Sequence, residues 1–287
     1  MDYFGGRQVV EKKAEQAQGP LSPKGLYELF LFSTTTFMAA ALLVQLLISL
    51  QLSLMLNFLS IEYVYHPLGV GYTFVSELKW NDARVFGVYG IAPLVFFAIG
   101  VGLARFLFKN QTINWKWRLF LTWFAFLLVH TLPVGLIAGV VLYDGYGYAF
   151  RWLVDSIGIR AVLAVALIAL IRYYRLFWLS GFLKSAYSLS LIGEFATRKA
   201  FLVNAVYRPW LIGCLALMPF VAGVQSIYWG SFLVLLGIVL MPLWQNDFPD
   251  TKLKIHVSTQ KIWPMKYPVI YVVALWAMLW VSMWLFF

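Results

Sequence analysis

The chain has 287 residues, of which 62% are hydrophobic and only 12% are charged. Soluble domains carry about 25% charged residues, so a soluble fold of this length would leave too much apolar surface in water. The composition excludes a soluble globular protein and predicts an all-α, polytopic membrane helix bundle, because membrane helices satisfy their own backbone polar groups. The net charge of +10 would suggest nucleic acid in a soluble protein. Here basic loops explain it, and no nucleic acid partner is expected.

Apolar segments divide the chain into a polar N-terminal stretch, residues 1–25, and a single transmembrane domain, residues 26–287. A membrane crossing needs about 20 apolar residues. The first helix is expected to begin near Ser22 and Pro23, since serine caps helices and proline suits the first helical position. Seven candidate crossings follow along the chain: 26–56, 85–105, 119–142, 156–173, 210–228, 230–244 and 268–287.

If the chain crosses the membrane at these seven segments, its Lys and Arg residues are unevenly distributed between the loops on the two sides. Eighteen of the 22 Lys and Arg fall in the segments 1–25, 105–118, 172–209 and 245–267, and four fall on the other side. The positive-inside rule places the basic side in the cytoplasm. The N-terminus is therefore predicted to be cytoplasmic and, after seven crossings, the C-terminus to be outside. The same bias favours a bacterial inner membrane.

The segment 174–205 mixes an apolar stripe with charges and contains no clean apolar stretch long enough to cross. We interpret it as one amphipathic helix, or two, lying on the cytoplasmic surface. Anionic lipids are its expected partner, as they are for the other basic cytoplasmic loops. Docking on another subunit is the alternative.

Two features suggest how the predicted helices pack. The first helix carries Gln45, Ser49, Ser53 and Asn57 four residues apart, which forms one polar stripe. None of them is ionisable, so interhelical hydrogen bonding is favoured over the wall of a polar path. Glycines cluster in the second and third predicted helices, where they indicate close helix packing: Gly87, Gly90, Gly100, Gly102, Gly135 and Gly139.

His130 lies near the middle of the third predicted helix. An ionisable group at that depth is costly and usually faces the protein interior or a cavity. Asp144 follows 14 residues later, about 40° away around the helix and about 21 Å along it. A neutral, hydrogen-bonded structural histidine is favoured; a proton relay or substrate contact, and a metal or haem ligand, are the alternatives.

Metal chemistry has little support in the sequence. His130 begins His-Thr-Leu-Pro-Val, which lacks the glutamate and second histidine of the His-Glu-x-x-His motif. The three histidines lie at different predicted depths, which argues against a bis-histidine haem, and no cofactor is expected. Glu62 and His66 would share a face if that stretch were helical, and with Asp144 they form a weak candidate metal site at the outer face.

Three function classes remain. The first is a non-catalytic integral membrane subunit or assembly component of a larger complex, in which other membrane protein subunits are partners. The second is a small transporter or channel that uses His130. The third is a membrane enzyme with an outer-face polar site at Glu62, His66 and Asp144. The absence of a catalytic motif favours the first class and argues against an enzyme.

Overall fold

A computed structural model describes residues 23–66, 69–72, 80–110, 112–140, 146–188, 191–223 and 227–240. Most of these residues are helical. We number the helices in chain order: α1 is Pro23–Phe58, α2 is Asp82–Lys109, α3 is Trp115–Ala138, α4 is Tyr146–Leu153, α5 is Ile157–Tyr173 and α6 is Arg175–Leu183. Helix α7 comprises Phe195–Leu202, Val203–Tyr207 and Arg208–Gly223, and α8 is Ile227–Leu240.

Four of the described helices are long and apolar enough to cross a membrane: α1, α2, α3 and the part of α7 from Phe195 to Met218. Helices α5 and α6 together make a fifth candidate, bent by 41°. These helices are those of an integral membrane protein. The predicted crossings 26–56, 85–105 and 119–142 match α1, α2 and α3 to within a few residues, and 156–173 matches α5. The last predicted crossing, 268–287, lies outside the described residues.

Helix α1 is described from Pro23 onward and ends in a left-handed turn, and the predicted cap at Ser22 lies outside the described residues. Ser60 has a φ of 56°, the amide of Ser60 bonds to the Asn57 carbonyl at 3.0 Å, and the amide of Ile61 bonds to the Leu56 carbonyl at 2.9 Å. This pattern satisfies carbonyls at the helix end. The chain then forms an antiparallel hairpin of β1, Tyr63–His66, and β2, Gly69–Tyr72, which contacts α1. The hairpin is a small exception to the all-α prediction.

Helix α3 is the centre of the bundle. It contacts α1, α2, α4, α5, α6 and α8, and 67% of its most apolar stretch is buried, against 33% for α2. Gly100 of α2 allows a close approach to α3, since a β-carbon there would lie 2.9 Å from the backbone nitrogen of Val129. A β-carbon at Gly139, at the end of α3, would lie 2.7 Å from the Gly147 carbonyl oxygen of α4. The prediction that glycines mark close packing is thus confirmed at Gly100 and Gly139. At Gly87 and Gly102 a β-carbon would meet no described residue within 4 Å.

Two of the long helices contain a widened, π-helical turn, Phe86–Gly90 in α2 and Val203–Tyr207 in α7. Such turns alter the backbone hydrogen-bond pattern. In each, a carbonyl accepts a side chain of α1: Gln51 Nε2 donates to the Val88 carbonyl at 3.2 Å, and Ser33 Oγ donates to the Ala205 carbonyl at 2.5 Å. The hydrogen bonds at the two widened turns therefore join α1 to α2 and to α7.

The segment 174–205 differs from the single surface helix that its sequence favours. It contains α6 and the start of α7, and the described residues between them, 184–188 and 191–194, are not α-helical. The stretch is packed into the protein, because Ala186, Leu191 and Ile192 are buried. From residue 195 the helix continues without a break to residue 223 and is a candidate crossing, because the apolar run extends beyond the charges of its first turns. Only the alternative of two helices fits the secondary structure.

Three buried arginines bond to backbone carbonyls at the ends of elements. Arg118 donates to the carbonyls of Leu107 and Asn110, at 2.9 and 2.5 Å, where α2 ends. Arg160 donates to the Gly139 carbonyl at 3.5 Å, where α3 ends. The third, Arg198, donates to the two residues before Glu194, Ile192 and Gly193. Arg118 and Arg160 lie at helix C-termini, where a cation stabilises the helix end. Arg198 instead holds the turn that precedes α7. These arginines therefore have structural roles besides any effect on topology.

Candidate functional site

His130 is completely buried within α3. Its interior position confirms the prediction that the ring faces the bundle and not the lipid. Helix α3 places it there because neighbouring helices cover this part of α3 on all sides: the consecutive residues Ala125, Phe126, Leu127 and Leu128 are all fully buried. An amphipathic stripe is absent from this part of α3, so the burial comes from its central position in the bundle.

Both ring nitrogens of His130 have hydrogen-bond partners. Nδ1 lies 2.6 Å from the carbonyl oxygen of Phe126, and Nε2 lies 3.4 Å from the hydroxyl of Tyr174. A carbonyl can only accept, so Nδ1 carries the proton and Nε2 accepts from Tyr174. Tyr174 is the residue at which α5 ends and α6 begins. The neutral histidine therefore joins the central helix to the bend between α5 and α6.

Aromatic rings enclose this pair. The ring centroid of His130 lies 4.2 Å from that of Phe126 and 5.5 Å from that of Trp178 of α6. Edge-to-face contacts continue the cluster from Phe126 to Trp178, at 5.1 Å, and to Phe182, at 5.7 Å. Such contacts contribute beyond the area they bury. We call His130, Tyr174, Phe126, Trp178, Phe182 and Trp123 the central ring cluster.

Trp123 extends the central ring cluster toward α1 and α7. Its ring lies 4.8 Å from Phe182 and 4.9 Å from Phe37 of α1. The indole Nε1 donates to Ser33 Oγ at 3.2 Å, and Ser33 in turn donates to Ala205. The sequence pattern did not reveal this junction. The one available signal was Ser33, a small hydroxyl residue in an apolar helix. Its partners could not be identified from the sequence, because Trp123 is 90 residues away and Ala205 is 172 residues away.

The chemistry of the central ring cluster is limited. The hydroxyl of Thr131, next to His130, donates to the Leu128 carbonyl of its own helix at 2.7 Å. A crevice beside Arg118 and a groove between α1 and α2 are two cavities of the protein, and neither is lined by His130. Within the described residues no group of three His, Cys, Asp or Glu side chains could hold a metal ion. The hydrogen bond between His130 and Tyr174 holds helices together.

The polar stripe of α1 is only partly interior. Gln45, Ser49 and Ser53 are buried, whereas Asn57 is exposed near the end of the helix. Ser53 Oγ donates to the Ser49 carbonyl of α1 itself at 2.8 Å. The interhelical hydrogen bond in this region comes from Gln51, on another face of the helix. Interhelical bonding by the stripe itself stays a prediction.

Two of the outer-face candidates, Glu62 and His66, are not on a helix. Glu62 is exposed and lies between the end of α1 and β1, and His66 is the last residue of β1, so the helical spacing that would pair them does not apply. The physical reason is the turn at Ser60, which ends α1 at Phe58. Asp144 lies outside the described residues. A metal site formed by these three residues remains untested.

No protein-family model, no curated protein and no solved structure matches this chain. Its function is therefore inferred from its own residues.

Proposed function

We propose that this chain is a non-catalytic integral membrane subunit, or assembly component, of a larger membrane complex. The central ring cluster is the observation that supports this most strongly. The one ionisable group at its centre, His130, is fully buried, bonded at both nitrogens and surrounded by rings. A group that must exchange protons or meet a substrate needs access to one of them. A sealed histidine instead stabilises a helix junction.

Helix α5 provides the surface through which we propose that a partner subunit packs. It buries only Arg160, Ala164 and Ile171 against the described bundle. Its remaining surface is apolar and open, and the exposed fractions of Val162 and Val165 are 69% and 67%. Van der Waals packing between helices stabilises association in membranes. Lipid covers whatever part of this surface a partner leaves.

Purification from native membranes in mild detergent tests the proposal. We expect a stoichiometric membrane protein to co-purify with the chain. A photocrosslinking residue at Val162 or Val165 should capture that protein, and one at Leu215, an exposed position of α7, is the matched control. A pure monomer or homodimer from native membranes, with no crosslinked partner at α5, would contradict the proposal.

We also propose that the chain crosses a bacterial inner membrane seven times, with its N-terminus in the cytoplasm and its C-terminus outside. The 18-to-4 distribution of basic residues supports this orientation. Single cysteines at the exposed positions Thr112 and Asp155 test it. The only native cysteine, Cys214, is buried and gives a low background. A membrane-impermeant reagent should label position 155 and not 112 in intact cells; the reverse result means an inverted topology.

We propose that anionic lipids bind the chain on the side of the membrane where its Lys- and Arg-rich loops lie. Exposed Arg105, Lys109, Arg172 and Lys199 would meet their headgroups there, and each such contact contributes about 1 kcal/mol. Flotation with vesicles cannot test an integral protein. The measurable quantity is the number of anionic lipids that co-purify, which should fall when these four residues are changed to Gln.

A small transporter is the second candidate, and the bend at Tyr174 is the observation that favours it. Broken helices form the binding sites of many transporters, and here the residue at the 41° bend contacts the buried histidine. Proteoliposomes that contain a pH-sensitive dye distinguish the two functions. A scaffold should carry no proton flux under an imposed potential. Flux that Tyr174→Phe and His130→Asn both abolish, with normal assembly, would establish the transporter.

A further inference from the structure

A groove opens between α1 and α2 at the end of the bundle where α1 terminates. Its volume is about 690 Å³, within the range of small-molecule sites. Leu54 and Phe58 line it from α1, and Arg84, Gly87 and Ile91 line it from α2. Because α1 ends and α2 begins at this end of the bundle, Arg84 and Phe58 lie at the mouth of the groove, and Leu54 and Ile91 lie deeper.

The walls of the groove are apolar and open. The exposed fractions of Phe58 and Leu54 are 83% and 59%. The apolar surface continues beyond the groove along both helices, through Leu50 of α1 and Leu94 of α2, which are also exposed. In a membrane helix such a surface faces acyl chains. A chain that lies against α1 and α2 can therefore continue into the groove without crossing polar surface.

Gly87 shapes the floor of the groove. It lies in the widened turn of α2, and a β-carbon at this position would meet nothing within 4 Å. Glycine within a helix costs about 1 kcal/mol relative to alanine. At Gly100 of α2 the cost is offset by close packing against α3. At Gly87 no described protein atom uses the space, so the missing side chain leaves room in the groove.

The mouth of the groove is polar and basic. Arg84 is half-buried there, beside the exposed Asn81, whose side-chain oxygen accepts the Arg84 amide at 2.9 Å. The nearby carboxylate of Asp82 accepts a hydrogen bond from Trp152 of α4 at 2.8 Å. A guanidinium and an amide are suited to a phosphate. The groove thus joins a cationic end to an apolar length, which is the pattern of an amphiphile with an anionic headgroup.

We propose that this groove binds one acyl chain of an anionic phospholipid, whose phosphate contacts Arg84. This site lies at the opposite end of α2 from Arg105 and Lys109, so it is distinct from headgroup contacts on the basic side. It does not depend on whether the chain is a scaffold or a transporter. The chain also supplies matched controls: among the described residues Gly102 has the same open surroundings as Gly87, and Arg151 of α4 is half-buried like Arg84 but does not line the groove.

Native mass spectrometry of the full chain in detergent tests the site, with phosphatidylglycerol and phosphatidylcholine of the same acyl chains as probes. The wild type should retain phosphatidylglycerol about fivefold more strongly, since a surface arginine contributes about 1 kcal/mol toward an anionic lipid. Gly87→Trp and Ala83→Trp fill the groove and should lose retention of both lipids; Gly102→Trp should not. Arg84→Gln should abolish the preference for phosphatidylglycerol, and Arg151→Gln, at an arginine of α4 that does not line the groove, should leave it unchanged.

Three results would overturn the proposal. One is retention of phosphatidylglycerol by folded Gly87→Trp and Ala83→Trp at the wild-type level, with folding checked by size-exclusion chromatography. Another is an equal loss of preference in Arg84→Gln and Arg151→Gln, which would place the lipid elsewhere. The third is a dimer that Gly87→Trp dissociates, with no lipid retained by either form, since a second copy would then occupy the groove.

Discussion

Helices α3 and α5 are both largely apolar, and each buries an ionisable residue in its apolar stretch, His130 in α3 and Arg160 in α5, yet the surroundings of the two helices are opposite. In α3, His130 is enclosed by rings and two-thirds of the most apolar stretch is buried. In α5, Arg160 is buried while Val162 and Val165 nearby are largely exposed. In a membrane, apolar side chains are equally well placed against lipid or protein. Composition therefore identifies a membrane helix without revealing which neighbours it has.

Substitution of Trp123 by alanine should give the largest difference between α3 and α5 in the free energy of unfolding that is lost. Trp123 is fully buried in α3 and contacts Phe37, Phe182 and Ser33. We expect the free energy of unfolding to fall by about 3 kcal/mol, the low end for a core Trp→Ala, because lipid also solvates the ring in the unfolded chain. Val162→Ala in α5 should cost no more than about 0.5 kcal/mol. Unfolding by steric trapping in bicelles measures both, and equal losses would remove the contrast.

His130→Leu should destabilise the bundle by about 1–3 kcal/mol, because it removes both hydrogen bonds and leaves polar groups unpaired. His130→Asn or His130→Gln keeps a polar group and should retain assembly. Tyr174→Phe removes one of the two bonds and should cost about 1 kcal/mol. Thermal unfolding in detergent gives the ranking. Normal stability of His130→Leu would show that the histidine is not structural.

Arg160→Leu tests the buried arginine of α5. It should lower the free energy of unfolding less than Trp123→Ala or His130→Leu does. The substitution removes a cation from the C-terminal end of α3, at a cost of about 1 kcal/mol. Arg172→Leu, an exposed arginine on the same helix, is the control and should cost no more than about 0.5 kcal/mol. The comparison needs the same unfolding assay. An equal effect of the two substitutions would mean that the bond to Gly139 contributes nothing.

The sequence predicted the first three long helices and the interior position of His130 because both follow from the cost of polar groups in a bilayer. It did not predict the partner of His130, since Tyr174 is 44 residues away and lies at a bend. The continuation of α7 from residue 195 was also missed, because charges such as Arg198 suggested a surface helix. Arg198 is in fact buried and bonded to Ile192 and Gly193. A buried charge with a local partner looks the same in a sequence as a solvated one.

The three buried arginines also bear on how the protein is made. In every case the accepting carbonyl precedes the arginine in the chain, by 11 and 8 residues for Arg118, by 21 for Arg160, and by 6 and 5 for Arg198. During synthesis each guanidinium therefore emerges after its acceptor already exists. These hydrogen bonds therefore depend on no later segment, and at Arg118 and Arg160 they can close the ends of α2 and α3 as synthesis proceeds.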